Sequence, residues 1–217
     1  MLVEAYRDLK YLLNRGYRKT YALEFVANHY RLPREQRHLL ARCVFPDSWI
    51  EEVKMKLLEP GELGGKILAI DGFNVLITLE SLLEGKAILC EDGLVRDLKY
   101  QGKYRLNEGT GELLEEIAGV LGELGVEKAV FFYGRNVPKS GIIRTLTEES
   151  LRGLGVTGEV HLVRNPDFEL KRFETVATAD VAIVQKAGTV FDLARFVGAK
   201  LGKHPGCFIE LLGETEL

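Results

Sequence analysis

Two aspartates that lie far apart in the chain each follow a short apolar run. Residues 66–70 lead directly into Asp71, with Asn74 close behind, and residues 174–178 lead into Asp180. Short, nearly continuous apolar runs are typical of strands buried on both faces of a parallel sheet. Ligands of such sheets bind beyond the carboxyl ends of the strands. We therefore expect Asp71, Asn74 and Asp180 to meet there as candidate site residues.

A divalent metal is the cofactor expected at this edge. Mg²⁺ and Mn²⁺ prefer oxygen ligands, and Mg²⁺ usually binds through one or two carboxylates together with substrate phosphate. Such an ion activates water and stabilises charge while a phosphodiester is hydrolysed. The candidate metal ligands are Asp71, Asp180, Asp97 and Asp192.

These aspartates also have structural interpretations. Asp71 can cap the helix that follows it, since a short polar side chain accepts hydrogen bonds from the first free N–H groups. Asp192 interrupts an apolar helix face and can instead pair with Arg195 or Lys200 at the surface. Asp97 follows the turn signature of residues 92–93 and is placed by that turn.

Basic residues are concentrated at the start of the chain. Residues 1–45 hold nine basic and four acidic side chains, a net charge of +5, which leaves −8 for the rest of a chain whose net charge is −3. This asymmetry indicates one part that attracts polyanions and another that binds cations; a solvated helical surface is the alternative. The expected RNA contacts here are Arg15, Arg18 and Lys19.

Two further segments carry phosphate-binding candidates. Residues 99–105 interleave cations with tyrosines, a composition that suits single-stranded nucleic acid and also an ordinary exposed hairpin, and Arg105 is its candidate contact. Residues 138–144 begin a predicted helix after a strand, where free N–H groups together with Lys139, Ser140 and Arg144 can hold a phosphate.

The elements that must position these side chains fall into two groups. Apolar spacing in the first sixty residues predicts helices that end at Gly16, run from Tyr21 to Tyr30 with Thr20 as cap, run from Pro33 to about Val44, and start at a cap on Asp47 or Ser48. Residues 60–65 read as a linker. We therefore predict a basic helical domain over residues 1–60 and an α/β domain over residues 66–217.

Strands and helices alternate from residue 66 onward. The predicted strands are 66–70, 87–90, 94–98, 127–133, 158–163, 174–178 and 207–212, the last at a sheet edge, and the predicted helices are 110–124, 138–151, 181–185 and 190–201. Such alternation indicates a mostly parallel sheet with helices on both faces, which is an α/β fold of three layers.

The segments Asp71-Gly72-Phe73-Asn74 and Thr178-Ala179-Asp180 resemble motifs of PIN and NYN-like domains. Those families place an Asp after the first strand, often followed by an Asn, and a Thr/Ser-x-Asp after a later strand. The resemblance covers about residues 66–212. It implies a three-layer α/β/α fold and metal-dependent ribonuclease chemistry, with Asp71 and Asp180 as metal ligands and Asn74 assisting.

Two more features follow from this resemblance. Residues 8–17 look like part of a short helical domain found fused to PIN-like domains in an uncharacterised, largely prokaryotic family. A further acid is expected from a central helix, for which Glu112, Glu115 and Glu116 are candidates, and Asp97 is another.

The favoured prediction is a Mg²⁺- or Mn²⁺-dependent ribonuclease, with RNA, single-stranded or structured, as the partner. The alternative is a non-catalytic RNA- or protein-binding adaptor on the same fold. A phosphatase that uses Asp71 as nucleophile is disfavoured, because its second Asp would fall at Phe73. Assembly as a homodimer is left open.

The sequence also predicts the cellular location of the protein and the state of its cysteines. No run of eighteen uncharged apolar residues and no signal-peptide layout is present, which predicts a cytoplasmic protein without membrane contact. The three cysteines are widely spaced and are expected to be reduced and mostly buried.

Overall fold

The N-terminal segment is helical. The computed structural model describes residues 1–98 and 104–213. Its first helices are α1 (Leu2–Asn14), α2 (Lys19–His29), α3 (Arg34–Cys43) and α4 (Asp47–Lys56). The spacing of Ala5, Leu9 and Leu13 along α1 places them on one buried face, as the apolar periodicity predicts.

The ends of these helices agree with the predictions at most positions. Gly16, with a φ of 82°, follows α1 in the left-handed conformation that glycine adopts without strain. Pro33 and Pro46 immediately precede α3 and α4. The caps predicted at Thr20 and at Asp47 or Ser48 are wrong, because α2 already begins at Lys19 with Arg18 at the N-cap, and α4 already begins at Asp47 with Pro46 at the N-cap.

Eight strands form two sheets. They are β1 (Ile67–Asp71), β2 (Ala87–Leu89), β3 (Val95–Asp97), β4 (Lys128–Gly134), β5 (Gly158–Val163), β6 (Thr175–Ala177), β7 (Thr189–Val190) and β8 (Gly206–Cys207) among the described residues. The larger sheet has the order β5-β4-β1-β6-β7 and is parallel throughout. The smaller sheet has the order β3-β2-β8.

Helices cover both faces of the larger sheet. After a short 3-10 turn (Pro60–Glu62) come α5 (Gly72–Leu83), α6 (Thr110–Glu123), α7 (Ser140–Gly153), α8 (Pro166–Leu170), α9 (Val181–Val184), α10 (Leu193–Lys200) and α11 (Phe208–Leu211). Leu68 and Ile70 of β1 enter the core beneath α5 and α6, whereas Ala69 enters the core on the opposite face. This alternation confirms an α/β fold of three layers preceded by an all-helical segment.

The strand order creates a switch point beside β1. The chain leaves β1 for β4 and then β5 on one side, and later returns to β6 and β7 on the other. In open parallel sheets the crevice at such a reversal, beyond the carboxyl ends of the strands, is where ligands bind. The crevice beyond the ends of β1 and β6 is therefore where this fold is expected to bind a ligand.

The helical segment shares a core with the smaller sheet. Leu9 and Leu40 from the first helices are buried in one cluster with Ile88 of β2 and Phe208 of α11. Cys43 and Cys90 meet in this cluster as free thiols with their Sγ atoms 3.0 Å apart, and Cys207 is half-buried and free. The prediction of unpaired, mostly buried cysteines is confirmed.

Several predicted elements need correction. The strand predicted over residues 207–212 is wrong: only Gly206 and Cys207 pair with β2, and α11 follows. The reason is packing, since Phe208 and Leu212, four residues apart, both enter the core shared with the N-terminal helices. The helix predicted from residue 190 begins instead at Leu193, after β7. The bounds of α5 and α8 were not predicted.

None of the helices in the part of the chain that the structure describes combines the length and the apolar composition needed to cross a lipid bilayer.

Candidate active site

Asp71 is the last residue of β1 and the N-cap of α5. Its Oδ1 accepts a hydrogen bond from the backbone N–H of Asn74 at 3.3 Å. Its Oδ2 accepts one from the hydroxyl of Thr178, just after β6, at 3.1 Å. The capping interpretation and the site interpretation of Asp71 are therefore compatible, because one carboxylate starts a helix and joins two strand ends.

Asn74 makes the second link across the switch point. Its Oδ1 accepts a hydrogen bond from the backbone N–H of Ala179 at 3.0 Å. The hydroxyl of Thr178 in turn accepts one from the N–H of Asp180 at 3.1 Å. The two sequence motifs are thus hydrogen-bonded to each other, although more than a hundred residues separate them.

Asp180 is the N-cap of α9. Its Oδ1 accepts hydrogen bonds from the N–H groups of Ala182 and Ile183 at 2.8 and 3.1 Å. The side chain is half-buried at the rim of the site. Capping fixes the position of this carboxylate and leaves acceptor capacity on its second oxygen.

The pKa of Asp71 is raised, because the carboxyl group is buried and lies near other negative charges. Burial raises the pKa of Asp71 to about 7, against the lowering effect of the bonds from Asn74 and Thr178. The charges of Asp180 and Asp167 raise it further. Both carboxylates therefore lie within electrostatic range of Asp71.

Asp167 was missed by the sequence reasoning. It lies in the first turn of α8, directly after β5, and its side chain is exposed. The signal was present as Asn165-Pro166-Asp167 after a predicted strand, since Asn at the N-cap and Pro at the first position start a helix.

Asp97 shares a pocket with Asn74 and Asp180, whereas Asp71 does not line this pocket. A pocket of about 180 Å³ is lined by Asn74, Asp97 and Asp180 together with Arg42 and Phe45 from the helical segment. Asp97 Oδ2 lies 3.6 Å from Arg42 Nη2, so this carboxylate is paired with a cation from α3. The first helices therefore supply part of the wall, which no local pattern indicated.

Arg96 supports the loop that carries Asp180. It is buried, and its guanidinium donates two hydrogen bonds of 2.7 Å to the carboxylate of Asp92. Its Nε donates to the carbonyl of Ala179 at 3.1 Å. The pKa of Arg96 is raised by the Asp92 bonds and charge against the opposing effect of burial. This pair ties the β2–β3 turn to the end of β6.

Asp192 has a structural role in the described residues. Its Oδ2 accepts the N–H of Val95 at 2.8 Å and its Oδ1 accepts the N–H of Arg195 at 3.0 Å. Burial raises the pKa of Asp192, while these bonds lower it. The predicted surface pairing is wrong, because the carboxylate of Asp192 caps α10 and accepts hydrogen bonds from backbone N–H groups, and Lys200 pairs with Glu123 at 2.6 Å.

The three glutamates proposed on the central helix lie away from the pocket wall. Glu112, Glu115 and Glu116 are exposed on α6, and none of them lines the pocket that Asn74 and Asp180 share.

The predicted phosphate contacts of the helical segment differ in exposure. Arg15 and Arg18 are exposed, whereas Lys19 turns inward with its Nζ 3.8 Å from the centre of the Phe45 ring. Burial lowers the pKa of Lys19 to about 8, and the charge of Arg96 adds to the lowering. Lys19 is thus part of the contact between the N-terminal helices and the hairpin formed by β2 and β3.

The other predicted phosphate contacts lie outside the pocket. Lys139 is exposed with a φ of 62°, while Ser140 is buried and its N–H donates to the Val137 carbonyl at 3.2 Å. Arg144 pairs with Glu148 at 3.1 Å. Arg105 is exposed, and the cations and tyrosine predicted at Lys99, Tyr100 and Lys103 lie outside the described residues.

Asp71 and Asp180 are the carboxylates that the strand ends offer to a cation. Within residues 1–98 and 104–213 no group of three or more His, Cys, Asp or Glu side chains is arranged to hold a metal ion. The Asp71 and Asp180 carboxylates nevertheless retain acceptor capacity, and Mg²⁺ commonly uses one or two carboxylates plus water and substrate phosphate. Asp71 and Asp180 are the residues that would hold it.

Sequence comparisons place the chain among known families. Residues 60–196 match the family described as "Domain of unknown function (DUF5616)", and residues 1–56 match "Protein of unknown function (DUF434)". The chain is 42% identical over 184 residues, 84% of this chain and 88% of its relative, to "Uncharacterized protein MJ0935" of Methanocaldococcus jannaschii. No solved structure matches. With the larger part of its length matched, the chain belongs to the DUF5616 family.

Proposed function

We propose that this protein is a PIN-like ribonuclease that depends on Mg²⁺ or Mn²⁺ and hydrolyses RNA at the ends of β1 and β6. The observation that carries the proposal is the meeting of Asp71 with the Thr178-Ala179-Asp180 segment at the switch point of a parallel sheet. The resemblance to PIN and NYN-like domains requires this pairing of motifs in this kind of fold.

The roles of the residues follow from their contacts. Asp71 and Asp180 would hold the ion, and when bound it would supply charge stabilisation for a phosphodiester and activation of water. Asn74 keeps the Asp180 loop in place through its bond to the Ala179 N–H. Arg42, at the pocket wall, is placed to bind a phosphate oxygen through charge-assisted hydrogen bonds.

RNA is favoured as substrate by the charge distribution. A segment of net charge +5 packs against the α/β part and contributes Arg42 and Phe45 to the same pocket. A polyanion attracted by that segment would therefore be brought to the acidic strand ends, which need a cation before they can approach a phosphate.

A non-catalytic adaptor is the second candidate, and one observation favours it. Asp71, Asp180 and Asp192 are all N-caps whose oxygens accept bonds from the protein's own backbone. Their positions are therefore explained by folding alone, whether or not an ion binds.

Metal titration with isosteric variants separates the two functions. Asp71→Asn and Asp180→Asn keep a helix-capping side chain, so both should fold. The wild type should cleave a labelled single-stranded RNA with Mn²⁺, lose cleavage in EDTA, and show a Mn²⁺-dependent rise in Tm. Both responses should be lost in the two variants.

Glu149→Gln provides the control, because Glu149 is an exposed acid on α7. It should behave as wild type in both assays. Cleavage that persists in EDTA, or that is retained in Asp180→Asn, would contradict the metal-dependent mechanism. RNA binding without cleavage or a Mn²⁺ response would favour the adaptor.

A further inference from the structure

Large aromatic side chains are exposed on the first two helices and the turn between them. Tyr11, Tyr17, Tyr21 and Phe25 are 57%, 60%, 66% and 67% exposed. Single exposed apolar residues are ordinary, but a group of rings on one short segment marks an interaction site. The opposite face of α2 is buried through Ala22, Val26 and Ala27, so the rings are not needed for the core.

The rings on α2 are in register. Tyr21, Phe25 and His29 follow one another at four-residue spacing, which places them on the same helix face. The Phe25 and His29 rings are stacked, with centroids 6.5 Å apart and an angle of 11° between their planes. This face therefore presents flat rings in a row along the helix.

Guanidinium groups flank the rings. Arg15 lies with its Cζ 4.3 Å from the centre of the Tyr11 ring, and Arg18 is exposed at the N-cap of α2. Arg31 is exposed just beyond the other end of α2. Glu24 is an exposed acid on this helix, within a segment of net charge +5.

We propose that the surface formed by Tyr11, Arg15, Tyr17, Arg18, Tyr21 and Phe25, named here the ring surface, binds single-stranded RNA. Bases stack on Tyr21 and Phe25, and phosphates contact Arg15 and Arg18. The inference rests on the proposed ribonuclease function for its choice of RNA, and it adds that the substrate is single-stranded.

The chemistry of the ring surface selects this partner. Exposed rings interleaved with cations are the combination that holds single strands, because every base offers a flat face and every nucleotide a charge. A duplex keeps its bases stacked inside and cannot offer those faces. None of the six residues of this surface has an aliphatic side chain, which is a type that would suit a protein partner equally well.

Binding is measured on the full chain by fluorescence anisotropy with labelled (U)15 RNA in EDTA, so that cleavage does not interfere. Tyr21→Ala/Phe25→Ala should raise Kd by roughly 25-fold or more, from a loss of about fivefold or more per ring. Tyr21→Leu/Phe25→Leu should raise it nearly as much, because leucine keeps apolar area but has no ring to stack on.

Met55→Ala/Leu154→Ala is the matched control, because these side chains are 81% and 53% exposed and lie on α4 and at the C-terminal end of α7. Its Kd should equal that of the wild type. Arg15→Gln/Arg18→Gln should lower the slope of log Kd against log salt by roughly 1.4, the value for two phosphate contacts on a single strand.

Three results would overturn the ring surface proposal. They are unchanged affinity in the alanine pair, wild-type affinity in the leucine pair, and tighter binding of (dT)15 or duplex RNA than of (U)15. The ribonuclease proposal fails separately: if the wild type binds (U)15 through the rings but never cleaves RNA with Mn²⁺, the surface stands and the enzyme does not. If the alanine pair binds and cleaves RNA as the wild type does, the ribonuclease proposal stands and the ring surface proposal fails.

Discussion

At the scale of single residues, the candidate site consists of helix caps that also connect strands. Asp71 caps α5 and accepts a hydrogen bond from the Thr178 hydroxyl, and Asn74 lies in the first turn of the same helix and accepts one from the Ala179 N–H. Carboxylates held by such bonds have one position and orientation, which is the preorganisation that a metal or phosphate site requires.

Thr178→Val tests the link between the two motifs. Valine keeps the shape of the buried side chain but removes the donor to Asp71 and the acceptor for the Asp180 N–H. We expect the free energy of unfolding in EDTA to fall by about 1–3 kcal/mol in urea denaturation. Thr178→Ser keeps both bonds and should lose clearly less; equal losses in the two variants would contradict the hydrogen-bond explanation.

Lys19 gives a pH dependence with a defined sign. Burial lowers the pKa of Lys19 from 10.5 in the unfolded chain to about 8, so between these values the unfolded state binds a proton that the folded state does not. Stability from this group therefore rises as pH increases from 8 to 10.5, by roughly 3 kcal/mol at most.

Lys19→Met removes this titration. The free energy of unfolding of the wild type, minus that of Lys19→Met, should increase across this pH range, measured by urea denaturation in matched buffers. Parallel pH profiles for the two proteins would show that the Lys19 ammonium carries no burial penalty in the folded state.

At the scale of elements, Gly72 sets how closely α5 approaches the sheet. A Cβ built at Gly72 would overlap the ring of Tyr133, a buried residue of β4 whose hydroxyl bonds to Thr147 at 3.0 Å. A residue without a side chain is thus required where the helix starts from the strand end, and that close approach places Asp71 and Asn74 at the switch point.

Gly72→Ala should lower the free energy of unfolding by about 1–3 kcal/mol, because the overlap forces the Tyr133 ring from its site. Gly141→Ala is the matched control, since nothing lies within 4 Å of an added Cβ on α7. That change should be neutral or stabilising by up to about 1 kcal/mol. Gly72→Ala/Tyr133→Phe should not recover stability, because ring carbons make the overlap; recovery would place the clash at the hydroxyl.

At the scale of the whole molecule, the helical segment and the α/β part are joined by shared burial. Glu91, in the turn after β2, accepts hydrogen bonds from the Tyr6 hydroxyl at 2.7 Å, from Lys10 Nζ at 3.2 Å and from the Phe45 N–H at 2.9 Å. The core around Phe208 contains side chains from both parts. The pocket wall built by Arg42 and Phe45 depends on this junction.

The two parts should therefore unfold together. Trp49 is the single tryptophan. It lies in α4 and its Nε1 donates to Asp92 in the β2–β3 turn at 3.0 Å, so its fluorescence reports on the contact between the two parts, whereas far-UV circular dichroism reports on all elements. The midpoints of urea denaturation should coincide for the two probes in the wild type. Glu91→Ala leaves Lys10 and the Phe45 N–H without this acceptor and should lower both midpoints. An earlier Trp49 transition in the wild type would contradict the shared core.

The local sequence pattern determined the helices and strands, and it determined that an aspartate stands at or just after the end of both β1 and β6. The bounds predicted for β5 match those observed, and Gly16, Pro33 and Pro46 mark the end of α1 and the starts of α3 and α4, because periodicity and the backbone limits of Gly and Pro act over a few residues. The aspartate after each apolar run was recognisable for the same reason.

Tertiary structure decided which of these residues meet. Strand order brought β6 beside β1 and so joined Thr178 to Asp71, while docking of the first helices added Arg42 and Phe45 to the pocket. It also made Asp192 the N-cap of α10 and folded residues 208–211 into a helix. These outcomes depend on contacts between distant segments, whose free energy is set by packing across the whole core and not by neighbouring residues in the chain.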